Sequence, residues 1–372
     1  MRILAALSGG VDSAVAAARL VDEGHDVVAV HLRTGVEADG VAAGGARSCC
    51  GLDDARDARA VAAALGIPFH VVDAREAFST VQEAFRADYE AGRTPLPCVL
   101  CNRDVKLGRL AEVAAWCGAT AIATGHYARR APGARGRWRL LAARDASKDQ
   151  TYMLFRLDEA QRALLCFPLG DMTKAEVRAD ALRRRLPVHA KPDSQELCFL
   201  PADGGVRAWL RTVGAAVDRP GDVVEAGRVV ARHAGALGFT RGQRHGLPAL
   251  GARRYVTRVD AAAGVVEVAE REALLERDVH AHDVVWLDVG SAGELAGPVR
   301  VTARIRHAGP RAAGWLVATG PTSMRVRFDE PVFAPAAGQA LVAYVGDAVL
   351  AGGTVELDTA RQGPVQPGRA TA

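Results

Sequence analysis

At 372 residues, with 49% hydrophobic and 24% charged side chains, the chain is long enough for two or three globular domains with a sizeable core. A net charge of +4 neither demands nor opposes an anionic partner, and no long apolar run marks a membrane span. Seven cysteines, an odd number, argue against structural disulfides and reserve any special thiol for catalysis, redox work or metal binding.

Residues 3–7 read as a buried parallel strand. That early strand leaves no room for a signal peptide, so a cytoplasmic location is expected. Ser8-Gly9-Gly10-Val11-Asp12-Ser13 follows, and residues 14–21 read as a helix stopped at Gly24. A glycine-rich turn between a first strand and its helix is a phosphate-binding place. The glycines let backbone approach an anion, and the free N–H groups of the helix start point at it. Ser8 and Ser13 add hydroxyl donors, and Asp12 is placed to hold a magnesium ion. No Gly-Lys-Ser/Thr ending follows and the glycine spacing is wrong for a dinucleotide fingerprint, so both commoner phosphate loops are excluded.

Further along, residues 27–32 read as strand, 53–65 as helix, 69–72 as strand, 77–91 as helix, 102–116 as helix and 120–124 as strand. Thr173-Lys174-Ala175-Glu176 is a capping box opening a helix that stops before Pro187. This alternation predicts an α/β catalytic domain over residues 1–201, a doubly wound parallel sheet with ligands at the carboxyl ends of its strands. Residues 202–272, rich in Gly, Arg and Val, read as a small central domain. From about 279 the period becomes two: Val299, Val301, Ala303 and Ile305 alternate with Arg300, Thr302, Arg304 and Arg306, which predicts an antiparallel barrel over residues 273–357. The Pro/Gly/Gln-rich stretch 358–372 reads as a disordered tail.

Cys98-Val99-Leu100-Cys101-Asn102-Arg103 follows Thr94-Pro95-Leu96-Pro97, so a loop is expected there, with the next helix starting at about Asn102. A helix start, Arg103 and Lys106 would each favour the Cys101 thiolate. Cys198 lies in a second loop after Lys191-Pro192. Three readings stand open: buried small hydrophobes, half of a zinc site, or a sulfur-handling pair of Cys101 and Cys198. Cys49, Cys50, Cys117 and Cys166 have no partner at useful spacing and read as ordinary thiols. The arginines at 183–185 read as a solvated helix end, and His126 as either a nucleotide contact or a structural histidine.

The opening hexapeptide resembles the PP-loop of ATP pyrophosphatases, which split ATP between its α and β phosphates. The chain as a whole resembles the tRNA-specific 2-thiouridylase family. The shared blocks are Ser8 to Ser13, Ala91-Gly92-Arg93-Thr94-Pro95, Cys101-Asn102, Ala123-Thr124-Gly125-His126-Tyr127, Lys148-Asp149-Gln150-Thr151-Tyr152, Asp193-Ser194 with Cys198-Phe199, and Gly242-Gln243-Arg244. The resemblance implies an enzyme that installs sulfur at C2 of the wobble uridine of tRNA, using ATP, Mg2+ and a persulfide-carrying sulfur-relay protein. It implies Cys198 as the persulfide carrier and Cys101 as the partner thiol, able to form a transient disulfide. It implies ATP contacts at Ala6, Leu7, Ser8, Gly9, Gly10, Val11, Asp12, Ser13, Leu32 and Gly125, and tRNA contacts at Lys148, Asp149, Gln150, Arg306 and His307. The family often carries Asn-Pro-Asp or Asn-Pro-Cys before the catalytic cysteine, facing the target base. Leu96, Pro97 and Cys98 stand here, so an amide and a candidate acid–base carboxyl are missing and proton transfer must come from elsewhere. A monomer outside the membrane is expected. The rival readings are another PP-loop ligase or synthetase, a thiolase holding an iron–sulfur cluster on Cys98, Cys101 and Cys198, and a non-catalytic RNA-binding protein.

Overall fold

The computed structural model describes residues 1–35, 52–193, 197–201 and 203–357. Cys49, Cys50, Ser194 and the tail expected to be disordered, 358–372, lie outside the described residues. Contacts divide the chain into two units: Met1–Val81 with Cys98–Ala202 and Asp347–Val349, and Gln82–Pro97 with Asp203–Gly346 and Leu350–Ala372.

In the first unit, β1 (Arg2–Ala6), α1 (Val11–Asp22), β2 (Asp26–Arg33), α2 (Leu52–Leu65) and β3 (Phe69–Asp73) follow in order. Helix α3 (Arg75–Glu90) runs on from there into the second unit. A short α4 (Pro97–Leu100) continues through a π-helical stretch, Cys101–Leu107, into α5 (Gly108–Cys117). Then come β4 (Ala121–Ala123), the hairpin of β5 (Ala128–Pro132) and β6 (Trp138–Ala142), α6 (Glu159–Leu164), β7 (Leu165–Cys166) and α7 (Lys174–Arg183).

The sheet runs β3-β2-β1-β4-β7, with every pairing parallel. Ile3, Leu4 and Ala5 are buried on both faces of β1, which is why that strand reads as an unbroken apolar run. Ala14, Ala16, Ala17 and Ala18 let α1 lie close against the sheet, and Val177 and Ala181 of α7 join the same core. The chain winds outward from β1 through β2 to β3, then returns to place β4 on the other flank of β1. The crevice beyond the carboxyl ends of β1 and β4 is the switch point where such sheets bind ligands.

One expectation fails. The segment holding Cys98 and Cys101 is helical from Pro97 onward, not a loop up to Asn102. Proline suits the first helical position because its φ is preset and its missing N–H would be unpaired there anyway. The hairpin β5–β6 and α6, whose Asp158 and Gln161 form a capping box, were not anticipated. The box expected at Thr173 and Glu176 is present. Arg184 is not solvated: it pairs with Asp22 of α1 at 2.7 Å and with Asp180 at 2.9 Å.

In the second unit, α8 (Gly205–Thr212) precedes β8 (Gly221–Glu225), β9 (Arg228–His233), β10 (Tyr255–Asp260) and β11 (Val265–Ala269), a sheet of order β10-β11-β8-β9. Six strands then follow: β12 (Leu275–Trp286), β13 (Val299–Arg304), β14 (Ala312–Gly320), β15 (Ser323–Phe333), β16 (Ala340–Val345) and β17 (Ala348–Glu356). Their order β12-β15-β14-β13-β16-β17 is closed by β12 against β17, making an antiparallel barrel. Val301 and Ala303 point into its core with Leu316, Met324, Val326 and Phe328. The alternating arginines face outward, but not as a purely basic face, because Arg300 is paired with Asp329, and Arg325 and Arg327 lie near Asp278.

Candidate active site

The turn after β1 is shaped by its own side chains. Ser13 Oγ accepts from the Ser8 N–H at 3.1 Å and donates to the Gly10 carbonyl at 3.1 Å. Gly9 has φ +76°, and a Cβ there would stand 2.4 Å from the Asp54 carbonyl oxygen, so backbone conformation and space both require glycine. Gly125, just beyond β4, presses on the same turn: a Cβ would meet Ser13 N at 2.7 Å and Asp12 C at 2.9 Å. Gly10 caps α1 without any side-chain bond, so the first turn of α1 has no capping side chain, a place suited to an anion.

Charged groups converge on this turn from distant parts of the unit. The Lys174 ammonium, at the first position of α7, donates to the two Asp12 carboxylate oxygens at 2.7 and 2.8 Å and lies 2.9 Å from Asp193. Asp193 also receives Lys148 at 3.0 Å and Arg178 at 2.5 Å. Tyr127 donates its hydroxyl to Asp12 at 2.8 Å. Burial alone would raise the Asp193 carboxyl, but the hydrogen bonds and charges of Lys174 and Lys148 prevail and hold it at about 2. Burial and the adjacent Asp12 charge push the Tyr127 phenol far up, so it stays a donor. On the other side of the turn, Lys191 donates to the Gly9 carbonyl at 3.0 Å, to Asp54 at 2.7 Å and to Asp57 at 2.5 Å. Burial opposes its charge, but the two carboxylates raise its affinity for the proton.

Leu32 is buried at the end of β2, beside the strand that leads into the turn. Lys148 joins the charge cluster. Asp149 is buried and accepts from Ala143 N at 3.3 Å and Thr151 Oγ1 at 2.9 Å, so its carboxylate shapes the loop; Gln150 accepts from Tyr127 N at 2.8 Å. His126 bonds Thr124 Oγ1 through Nδ1 at 2.9 Å. Cys101 is buried at the start of the π-helical stretch, beside Asn102, which donates to the Met153 carbonyl at 3.1 Å. Arg103, expected to favour the Cys101 thiolate, is turned onto Asp104 at 2.5 and 2.8 Å. Cys98 is half-buried. Cys198 is also half-buried, in a turn whose Phe199 ring meets Phe78 edge-on at 5.8 Å.

Within the second unit, Leu96 and Pro97 follow a backbone stretch clamped by the turn before β16. Thr94 N donates to Ala337 O at 2.8 Å, and Gln339 Nε2 donates to Thr94 O at 3.0 Å. Arg306 donates to Ala334 O at 2.8 Å, and His307 next to it is exposed.

Lys174, Arg178 and Lys191 went unrecognised as site residues in the sequence. Lys174 was visible there only as part of a capping box, while Tyr127 and Asp193 did sit inside family blocks. Among the described residues, no three His, Cys, Asp or Glu side chains gather to hold a metal ion. Cys98, Cys101 and Cys198 do not form such a group. Magnesium is a different case: it takes few protein ligands beside phosphate oxygens, and the Asp12 carboxylate at the turn suits it.

A parallel sheet with a phosphate cradle at its switch point, followed by two small β domains, defines a nucleotide-using α/β enzyme class. A family model described as a tRNA methyl transferase HUP domain matches residues 1–202, a PRC-barrel model of the same series matches 213–270, and an aminomethyltransferase β-barrel model matches 276–355. The tRNA-specific 2-thiouridylase MnmA of Kineococcus radiotolerans is 46% identical over 366 residues, 95% of this chain and 98% of that protein. Its counterpart in Beutenbergia cavernae is 45% identical, covering 95% and 94%, and that in Koribacter versatilis 42%, covering 95% and 98%. The chain belongs to the tRNA-specific 2-thiouridylase family. Among solved structures, the NMN synthetase of Francisella tularensis aligns with TM-score 0.32 at 15% identity, over 52% of this chain and 65% of that one, a likeness too slight to build on.

Proposed function

We propose that this chain is an ATP-dependent tRNA 2-thiouridylase, replacing the C2 oxygen of the wobble uridine by sulfur. The observation that carries the reading is the Ser8–Ser13 cradle: a helix start with no capping side chain at a sheet switch point, closed over by Gly125 and ringed by lysines, in a chain 46% identical to a named thiouridylase. Ala6, Leu7, Ser8, Gly9, Gly10, Val11, Asp12 and Ser13 hold the ATP phosphates, while Leu32 and Gly125 border the adenosine. Lys148 and Gln150, on the loop that Asp149 organises, meet the tRNA, as do Arg306 and His307 on the barrel. Leu96, Pro97 and Cys98 face the target base, which an anticodon loop already leaves unstacked. Asp12 would hold Mg2+, which would offset charge developing at the phosphoryl group.

The uridine O2 attacks the α-phosphate, pyrophosphate leaves, and an O-adenylated uridine remains. The terminal sulfur of a Cys198 persulfide, loaded by a sulfur-relay protein, replaces AMP at C2. Cys101 thiolate attacks the Cys198 sulfur and breaks the S–S bond, either before transfer, freeing sulfide as the nucleophile, or after it. Both routes reduce the sulfane sulfur by two electrons and leave a Cys101–Cys198 disulfide, which an external thiol must reduce for turnover.

The test supplies protein, ATP, Mg2+, sulfide and unmodified tRNA, then analyses nucleosides for 2-thiouridine. With a persulfide donor in place of sulfide, Cys101→Ser and Cys198→Ser should both lose activity, and sulfide, which bypasses the S–S cleavage, should partly restore both. Full activity of both variants with the persulfide donor would remove the thiol pair from the mechanism, and absence of RNA-dependent AMP formation in the parent would remove adenylation.

A further inference from the structure

We infer that Lys174 and Arg178, one turn apart on α7, are the cations that receive the β and γ phosphates of ATP, exchanging Asp12 and Asp193 for phosphate oxygens. The inference rests on the nucleotide reading above and adds to it two residues that no comparison assigns.

Residues four apart on a helix share a face, and this face of α7 points at the glycine turn. Lys174 is held off solvent, its side chain 13% exposed, with its nitrogen within 2.9 Å of both Asp12 and Asp193. Arg178 reaches the same Asp193 oxygen at 2.5 Å, and Lys148 the other at 3.0 Å. Lys174, Arg178 and Lys148 thus meet Asp12 and Asp193 beside the start of α1, with the Asp145 carboxylate accepting from the Lys174 backbone N–H at 2.9 Å. A triphosphate bound at this turn would bring new oxygen acceptors to the same cations.

A purely structural lock between α7 and α1 is the competing explanation. That joint is already made elsewhere: Arg184 pairs with Asp22 of α1 at 2.7 Å, and Val177 and Ala181 share the core with the α1 alanines. Lys174 is not needed to hold the helices together. Asp12 is also the group best placed to serve a magnesium ion. A metal there would compete with Lys174 and Tyr127 for the two carboxylate oxygens, and an ammonium displaced by it would find its nearest new acceptors in the phosphates. There the cations would oppose charge building on the departing pyrophosphate, with Arg178 keeping its Nη1 on the Lys191 carbonyl at 3.1 Å and turning its Nη2 from Asp193 to a phosphate oxygen.

The experiment compares nucleotides that differ only in phosphate count. ATP and AMP affinities of the parent, Lys174→Met, Lys174→Arg, Arg178→Gln and Arg178→Lys are measured calorimetrically with Mg2+, and the Tm of each is recorded. Lys174→Met and Arg178→Gln should each weaken ATP about 10- to 100-fold, leaving AMP within about twofold, with partial recovery in Lys174→Arg and Arg178→Lys. Equal loss of both nucleotides, or ATP affinity unchanged in Lys174→Met, would overturn the assignment while leaving the ATP reading intact. A parent that binds neither nucleotide would overturn both. Variants that unfold are distinguished by Tm, and the charge-conserving pair then decides by the same ATP-to-AMP ratio.

Discussion

Replacing Gly125 by alanine tests the cradle with a single methyl group. That Cβ would lie 2.7 Å from Ser13 N, 2.9 Å from Asp12 C and 3.0 Å from Ser13 Cα. All three are backbone atoms at the start of α1, so no flexible side chain can swing aside. Relief requires the start of α1 to move away from β4, which strains the bonds from Ser13 Oγ to Ser8 N and Gly10 O. Overpacking of this kind costs about 1–3 kcal/mol. If the displaced loop carries that cost into binding, the ATP Kd rises about 5- to 150-fold. Tm falls about 2–4 °C per kcal/mol for a unit of this size. Gly118→Ala is the control. Gly118 has φ +70° but open space around its Cβ position, so alanine there brings a backbone penalty of about 1–2 kcal/mol and no clash. Gly118→Ala should lower Tm and leave ATP affinity unchanged. Calorimetric titration with ATP and thermal unfolding of both variants decide the matter. A Gly125→Ala protein that binds ATP like the parent at an unchanged Tm would refute the close approach of β4 and the glycine turn.

Lys191→Met should lower stability by about 1–3 kcal/mol in urea unfolding, because the buried Asp54 and the partly exposed Asp57 lose their shared cation; a variant as stable as the parent would mean the pairs contribute nothing. Asp193 is depressed to about 2 from 3.8, so its contribution is present above pH 4 and lost as pH falls toward 2. The stability gap between parent and Asp193→Asn, about 1–2 kcal/mol after solvent screening, should hold from pH 8 to 5 and narrow between pH 4 and 2. A gap that instead widens on acidification would reverse the sign of the argument.

Local patterns carried much of this protein. The apolar run into β1, the glycine turn and the alanine face of α1 are neighbours in sequence, and nearest-neighbour sterics and periodicity suffice to read them. The same holds for the period-two strands of the barrel, where Val301 and Ala303 turn in and Arg300 and Thr302 turn out. Proline was the local signal misread: Pro97 opens a helix instead of forbidding one, since the meaning of a proline depends on whether it begins a turn or interrupts it.

Only the folded chain decides which charges meet. Asp12 and Lys174 are 162 positions apart, Gly9 and Lys191 182. Nothing in the residues around a lysine distinguishes one that faces water from one that faces a phosphate loop, because ion-pair partners are chosen by the path of the backbone between them. The glycine turn could be named from six residues, whereas the ring of cations around it exists because α7 docks on α1 and aims Lys174 and Arg178 at the turn.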